Sequence, residues 1–172
     1  NHNGTIHASR RDDKTIKLWN VATGQCINTL QGHTSIVRRV TIAPNDKILV
    51  SGSSDSSVKI WDIYTGTCLK TLDEHKDSIF SIAFSYQRHI IASGSKDKII
   101  KICDINTGEC IKNLIGHNDT IGSLALSKDG KTLFSGSNDR TIKVWSVDNG
   151  ECLQTIKAHN SIIREIDLNS KQ

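Results

Sequence analysis

Apolar residues along this chain come in short bursts, and within a burst they tend to alternate with polar ones. In one stretch, Lys47-Ile48-Leu49-Val50-Ser51 is a compact apolar run closed by Gly52, and Val58-Lys59-Ile60-Trp61 alternates apolar with polar. Cys68-Leu69-Lys70-Thr71-Leu72 alternates again, and Ile79 to Phe84 supplies a fourth segment of the same kind. Between them stand Ser54-Asp55-Ser56, Thr65-Gly66 and His75-Lys76-Asp77, rich in residues that favour turns. A period of two with many β-branched residues, punctuated by turns, predicts strands and no helix. Four strands in succession predict an antiparallel four-stranded meander.

The pattern then returns every 42 residues. Trp19, Trp61, Cys103 and Trp145 keep that interval, as do His33, His75, His117 and His159. So do Ser9, Ser51, Ser93 and Ser135, and Asp13, Asp55, Asp97 and Asp139. A fixed period without insertions implies a repeat architecture. One such sheet cannot bury both of its faces alone, but stacked against its neighbours it can. The units start out of phase with the chain. Residues 1–35 hold the second to fourth strands of a first unit, and 36–77, 78–119 and 120–161 are three full units. Residues 162–172 are expected to be an inner strand, completing the first unit or a neighbouring one.

These residues resemble the WD-repeat family. Trp61-Asp62 closes a third strand with His75 in the following loop, and Ser51-Gly52-Ser53 and Asp55 precede it at the family's spacing. The dipeptide is intact once, reading Trp19-Asn20, Cys103-Asp104 and Trp145-Ser146 elsewhere. Gly32-His33 and Gly116-His117 keep the family's Gly-His pair, whereas Glu74-His75 and Ala158-His159 do not. The resemblance implies an all-β propeller of four-stranded blades with the first strand of each lining a channel. It also implies a structural hydrogen-bond network in which the loop histidine bridges the turn aspartate and the strand serine, and the serine accepts from the indole. The sets are His33, Ser51, Asp55, Trp61; His75, Ser93, Asp97 with Cys103; and His117, Ser135, Asp139, Trp145. His159 joins Ser9, Asp13 and Trp19 where the ends meet. The family's rings are usually wider than four blades. Completion by further repeats of a longer parent chain therefore ranks first, completion by a second copy next, and a closed four-bladed monomer last.

His, Ser and Asp together invite a hydrolase reading, but nucleophilic chemistry needs one assembled centre with an oxyanion site. Several equally spaced copies argue for structure, so no catalytic residue is assigned. The repeat sends one histidine to each unit, and His2, His7 and His89 stand alone, so no metal site is read. No Gly-rich phosphate cradle occurs and no cofactor is implied. Lys17, Lys59, Lys101 and Lys143 read as solvated strand positions with packed stems.

The net charge of +4 falls short of a nucleic-acid-binding stripe. No apolar run is long enough to cross a membrane, and no leader is visible at Asn1. A start at Asn1 rather than methionine suggests a processed product or a piece of something longer. Cys26, Cys68, Cys110 and Cys152 share one repeat position and Cys103 stands apart, with no CxxC pair. Thiols at one position of separate units lie too far apart to bridge. All five are expected to be reduced, which places the chain in the cytoplasm, with the nucleus second.

The functional expectation is a non-catalytic scaffold that presents a rim of loops to protein or peptide partners, acidic ones included. By resemblance the rim carries Ile36, Arg38, Lys76, Ser78, Phe80, Lys96, Ile162 and Arg164. Nucleic-acid binding through the basic part of this rim ranks second and an enzyme last. The blade with Cys103 in place of tryptophan is expected to be the weakest, because the change removes a large ring and an indole donor.

Overall fold

The alternation and the turn residues produce fifteen strands among the described residues. The computed structural model describes residues 6–10, 12–43, 47–157, 161–163 and 165–168. His159 and Arg164 lie outside them. Blade 1 consists of β1 (Ile6–Arg10), β2 (Ile16–Asn20) and β3 (Cys26–Leu30). Blade 2 is β4 (Val37–Ile42), β5 (Ile48–Ser53), β6 (Val58–Asp62) and β7 (Cys68–Leu72). Blade 3 is β8 (Ile79–Ser85), β9 (Ile90–Ser95), β10 (Ile99–Asp104) and β11 (Cys110–Ile115). Blade 4 is β12 (Ile121–Leu126), β13 (Thr132–Ser137), β14 (Thr141–Ser146) and β15 (Cys152–Lys157). Every pairing is antiparallel between consecutive strands. The chain is all-β, with its sheets arranged as propeller blades that do not close a ring.

The hydrophobic cores lie between blades, which is why a lone blade cannot account for burial. Ile16, Leu18 and Leu30 of blade 1 pack with Val37, Leu49, Trp61 and Ile63 of blade 2. Val58, Ile60 and Leu72 of blade 2 meet Ile79, Ile91, Cys103 and Ile105 of blade 3. Ile100, Ile102 and Leu114 of blade 3 meet Ile121, Leu133, Trp145 and Val147 of blade 4. In blades 2, 3 and 4 a glycine in the second strand permits the close approach of the next segment, whereas blade 1 has Arg10 at that position. A Cβ on Gly52 would stand 2.5 Å from Ile79, and one on Gly94 would stand 2.6 Å from Ile121. Gly136 stands in the same relation to Ile163, where a Cβ would lie 2.5 Å away.

Ile163 is therefore buried against blade 4 as Ile79 and Ile121 are buried against theirs. The described residues of 162–168 nevertheless form no strand. Their polar ties run to blade 4 alone, through Ile163 N–H to Ser137 O and Ile166 N–H to Ser123 Oγ at 2.9 Å. A strand is defined by a ladder, and among the described residues this segment has no second strand to pair with.

The cysteine expectation is corrected here. Cys103 is bonded to Cys110, while Cys26, Cys68 and Cys152 are free and exposed. A bulge after Ile102 moves the register by one residue, so Cys103 faces Cys110 rather than Ile111. The same bulge faces Trp19 to Cys26, Trp61 to Cys68 and Trp145 to Cys152. The relevant neighbour was within the blade, not between units.

Candidate functional site

The site candidates divide into a buried network inside each junction and an exposed rim above it. In blade 2, His33 Nδ1 lies 2.8 Å from Asp55 Oδ2 and its Nε2 lies 2.7 Å from Ser51 Oγ. Trp61 Nε1 donates to the same Ser51 Oγ at 2.8 Å. An ionised carboxylate can only accept, so Nδ1 carries the proton and Nε2 accepts from the Ser51 hydroxyl. Every donor from indole to carboxylate then meets an acceptor, with Ser51 Oγ accepting from Trp61 and donating to His33. Blade 4 repeats this with His117, Asp139, Ser135 and Trp145 at 2.7 Å throughout. Blade 3 has His75, Asp97 and Ser93 at 2.8 Å, without an indole. In blade 1, Trp19 donates to Ser9 at 2.8 Å and Asp13 accepts from Thr15.

Electrostatics follow from this burial. Desolvation pulls His33, His75 and His117 below the usual imidazole value, against the raising effect of their aspartates. Burial alone would raise Asp55, but donors from Ser57, the Thr34 amide and His33 outweigh it and hold the carboxyl at about 2. Asp97 and Asp139 are lowered in the same way, their burial again outweighed by local donors.

The order carboxylate, imidazole, hydroxyl matches a hydrolytic triad, yet it cannot act as one. Ser51 and Ser135 are 0% exposed and Ser93 is 3% exposed, so no substrate carbonyl can approach the oxygen. In blades 2 and 4 those hydroxyls also accept from an indole N–H.

Two further sets belong to the network and were given no part in it from the sequence, although Ser53 was named within Ser51-Gly52-Ser53. Ser53, Ser95 and Ser137 donate to loop carbonyls of Ile36, Asp77 and Asp119 and accept from the amides of Asp55, Asp97 and Asp139. Ser57 and Thr141 hydroxyls donate to Asp55 and Asp139 at 2.7 and 2.6 Å. The 42-residue interval itself was the signal for Ser53, Ser95 and Ser137. The Gly-His departure at Glu74 also has a cause, whereas that at Ala158 lies outside the described residues. A Cβ at Gly32 would stand 3.1 Å from the Trp61 ring, and one at Gly116 would stand 3.2 Å from that of Trp145. Glu74 occupies the equivalent place above Cys103, where no ring restricts it.

The rim residues are brought together across one junction. Arg38 Nε donates to Ser54 Oγ at 2.8 Å, and its guanidinium stands 5.3 Å from the centre of the Phe80 ring. The Ile36 carbonyl accepts from the Ser54 amide, and Ser78 Oγ reaches the Ser54 carbonyl at 3.5 Å. Lys96 lies 3.5 Å from Asp77, and the Lys76 amide donates to Asp97 at 3.0 Å. Ile162 is 39% exposed. The third-strand lysines are less solvated than their alternation implies. Lys59 and Lys143 donate across the blade to Thr71 and Thr155, and Lys101, 8% exposed, donates to Asn113.

The family model described as "WD domain, G-beta repeat" matches residues 24–62, 66–104 and 108–146. Among curated proteins, the chain is similar to the nuclear distribution protein PAC1 of Coccidioides posadasii, 47% identical over 49 residues, or 28% of this chain and 10% of that protein. It is also similar to the Lissencephaly-1 homolog of Heterostelium pallidum, 49% identical over 39 residues, or 23% of this chain and 9% of that one. The ribosome biogenesis protein BOP1 homolog of Drosophila virilis is 45% identical over 47 residues, 27% of this chain and 6% of its own length. The chain spans about a tenth or less of the length of these relatives. Three matched segments, well over half the chain, carry the same buried histidine, aspartate and serine at one spacing, and the chain belongs to the WD-repeat family.

Proposed function

We propose that the chain is part of a non-catalytic interaction scaffold whose rim binds protein or peptide partners. The observation that supports this best is the Arg38, Ser54, Ser78 and Phe80 cluster, which spans two blades and joins an apolar ring to a guanidinium. Among the described residues, Arg38 has only its Nε in a hydrogen bond, leaving its terminal nitrogens to face a carboxylate. Arginine and aromatic residues dominate binding energy at interfaces, and Lys76 stands exposed on the same rim. An acidic peptide with one large apolar side chain fits this chemistry.

Two lateral faces call for a second kind of partner. Val21 is 58% exposed, whereas its repeat equivalents Ile63, Ile105 and Val147 are 1–7% exposed. Ile156 is 39% exposed, whereas Leu30, Leu72 and Leu114 are 1–8% exposed. Further blades, from a longer parent chain first and a second copy next, would cover both faces as blades 2 and 3 cover theirs. The phosphate-binding reading has less support, because Asp77 neutralises Lys96.

The test is partner capture followed by affinity measurement with Arg38→Ala, Phe80→Ala and the outer-strand control Leu69→Ser. The rim changes should each weaken binding by roughly tenfold or more, as interface anchors do, and the control should not. Equal loss in the control places binding elsewhere. A steep fall in affinity with added salt would favour nucleic acid instead.

A further inference from the structure

We propose that Cys103 and Cys110 form a reversible thiol-disulfide switch that sets the rigidity of blade 3. Three observations carry it. Only this blade replaces the ring opposite the repeat cysteine with a second thiol, so only here does the shared bulge bring two cysteines face to face. Cys103 is 3% exposed in the core between blades 2 and 3, whereas Cys110 is only partly buried, at the margin of that core on the outermost strand of its blade. The other three cysteines face tryptophans, and each sulfur is directed to its own strand, Cys68 to the Lys70 carbonyl at 3.3 Å and Cys26 to that of Asn28 at 3.3 Å.

The less buried partner, Cys110, begins the exchange. The Cys110 thiolate attacks a low-molecular-weight disulfide such as oxidised glutathione, forming a mixed disulfide and releasing one small thiol. The Cys103 thiolate then attacks the Cys110 sulfur and displaces the second small thiol. Two protein thiols are oxidised, one small disulfide is reduced to two thiols, and no net proton is gained or lost. Reduction by a dithiol runs the same steps backwards. Closure ties β10, at the junction with blade 2, to β11 at the free edge of the sheet. That tie replaces the packing that an indole supplies in the other blades. Opening returns blade 3 to a cysteine in a place built for a large ring.

The experiment equilibrates the whole chain in glutathione buffers of graded ratio, quenches with an alkylating agent and maps each cysteine by mass. Cys103 and Cys110 should convert together into the internal bridge, and dithiothreitol should restore both thiols without denaturant. Cys26, Cys68 and Cys152 should give only mixed disulfides. In Cys110→Ser, Cys103 should stay a thiol. In Cys103→Trp with Glu74→Gly, which restores the residues of blades 2 and 4, Cys110 should take up glutathione as Cys68 does. Amide exchange in β10 and β11 should slow by about tenfold on oxidation of the wild-type chain. The proposal is overturned if Cys110 stops at the mixed disulfide, if both thiols survive oxidised glutathione alone, or if native reduction fails. Equal exchange in the two states removes the switch even where the bridge forms.

Discussion

Ser51 serves two partners at once, taking the indole proton of Trp61 and giving its own to His33. Ser93 serves His75 without an indole. Ser51→Ala leaves a buried indole donor and an imidazole nitrogen unsatisfied, a loss of roughly 2–6 kcal/mol with each orphaned group costing about 1–3 kcal/mol. Ser93→Ala orphans the imidazole alone and should cost about half as much. Urea unfolding of the two variants checks this, and equal losses would mean that the indole bond contributes little. Residues also substitute in pairs. Glu74 is accommodated because Cys103 has vacated the space that a ring fills beneath Gly32 and Gly116. Cys103→Trp alone crowds Glu74, and Glu74→Gly alone adds chain entropy. The double variant should be more stable than the two single effects add up to, by about 1 kcal/mol or more in a double-mutant cycle. An additive cycle would show that the Gly-His pair and the tryptophan are independent.

Blades are elements that lack a complete core until stacked, so the junction glycines matter more than their composition suggests. Gly52→Ala places a methyl group 2.5 Å from Ile79 and 3.0 Å from Ile82, in a strand whose residues 49 to 53 are all buried. Overpacking of this kind costs roughly 1–3 kcal/mol. Alanine at Gly24, where nothing lies within 4 Å, removes only the freedom that its positive φ requires. Thermal unfolding should rank Gly52→Ala below wild type by several degrees. A neutral Gly52→Ala would mean that adjacent blades slide apart at little cost. Blade 3 remains the element to watch by hydrogen exchange. With its cysteines reduced, Ser93 to Asp104 should open faster than the equivalent stretches of blades 2 and 4.

At the scale of the molecule, the three buried histidines and their aspartates make folding pH-dependent in one direction. Burial holds the imidazoles below the value of 6.5 that they adopt when unfolded. The unfolded chain therefore takes up protons first as pH falls, and stability that is full above pH 6.5 declines below it. Asp55, with a folded value of about 2 against 3.8 unfolded, adds stability that is present above 3.8 and lost as pH falls towards 2. Asp97 and Asp139 act with the same sign. The urea midpoint should be flat from pH 7 to 8, decline below 6.5 and decline again below 3.8. A midpoint that rises on mild acidification would show that imidazolium-carboxylate attraction outweighs burial. Val21 and Ile156 leave apolar faces open at the two ends of the arc, and such faces favour association. The isolated chain should sediment as a self-associating species, and Ile156→Asp should shift it towards monomer. Unchanged sedimentation would place any contact elsewhere.

Strand period, turn residues and the 42-residue interval were enough to place β1 to β15, because β-structure of this kind is written in local alternation and repeated turns, but not to decide whether 162–168 pairs as a strand. The interval also named the histidine, serine and aspartate sets, since a residue needed once per blade must recur once per repeat. What it could not place was anything that depends on how one strand slides past the next or one blade seats on another. The bulge after Ile102 turns Cys103 from Ile111 to Cys110, and a one-residue shift leaves no trace in an alternating pattern. Arg38 and Phe80 are separated by a full repeat, and only blade stacking sets the guanidinium over the ring. The exposure of Val21 and the burial of Ile63 differ although both occupy one repeat position. Sequence specifies what each position is fit to bury, whereas burial itself requires a neighbouring surface, and that is decided only in three dimensions.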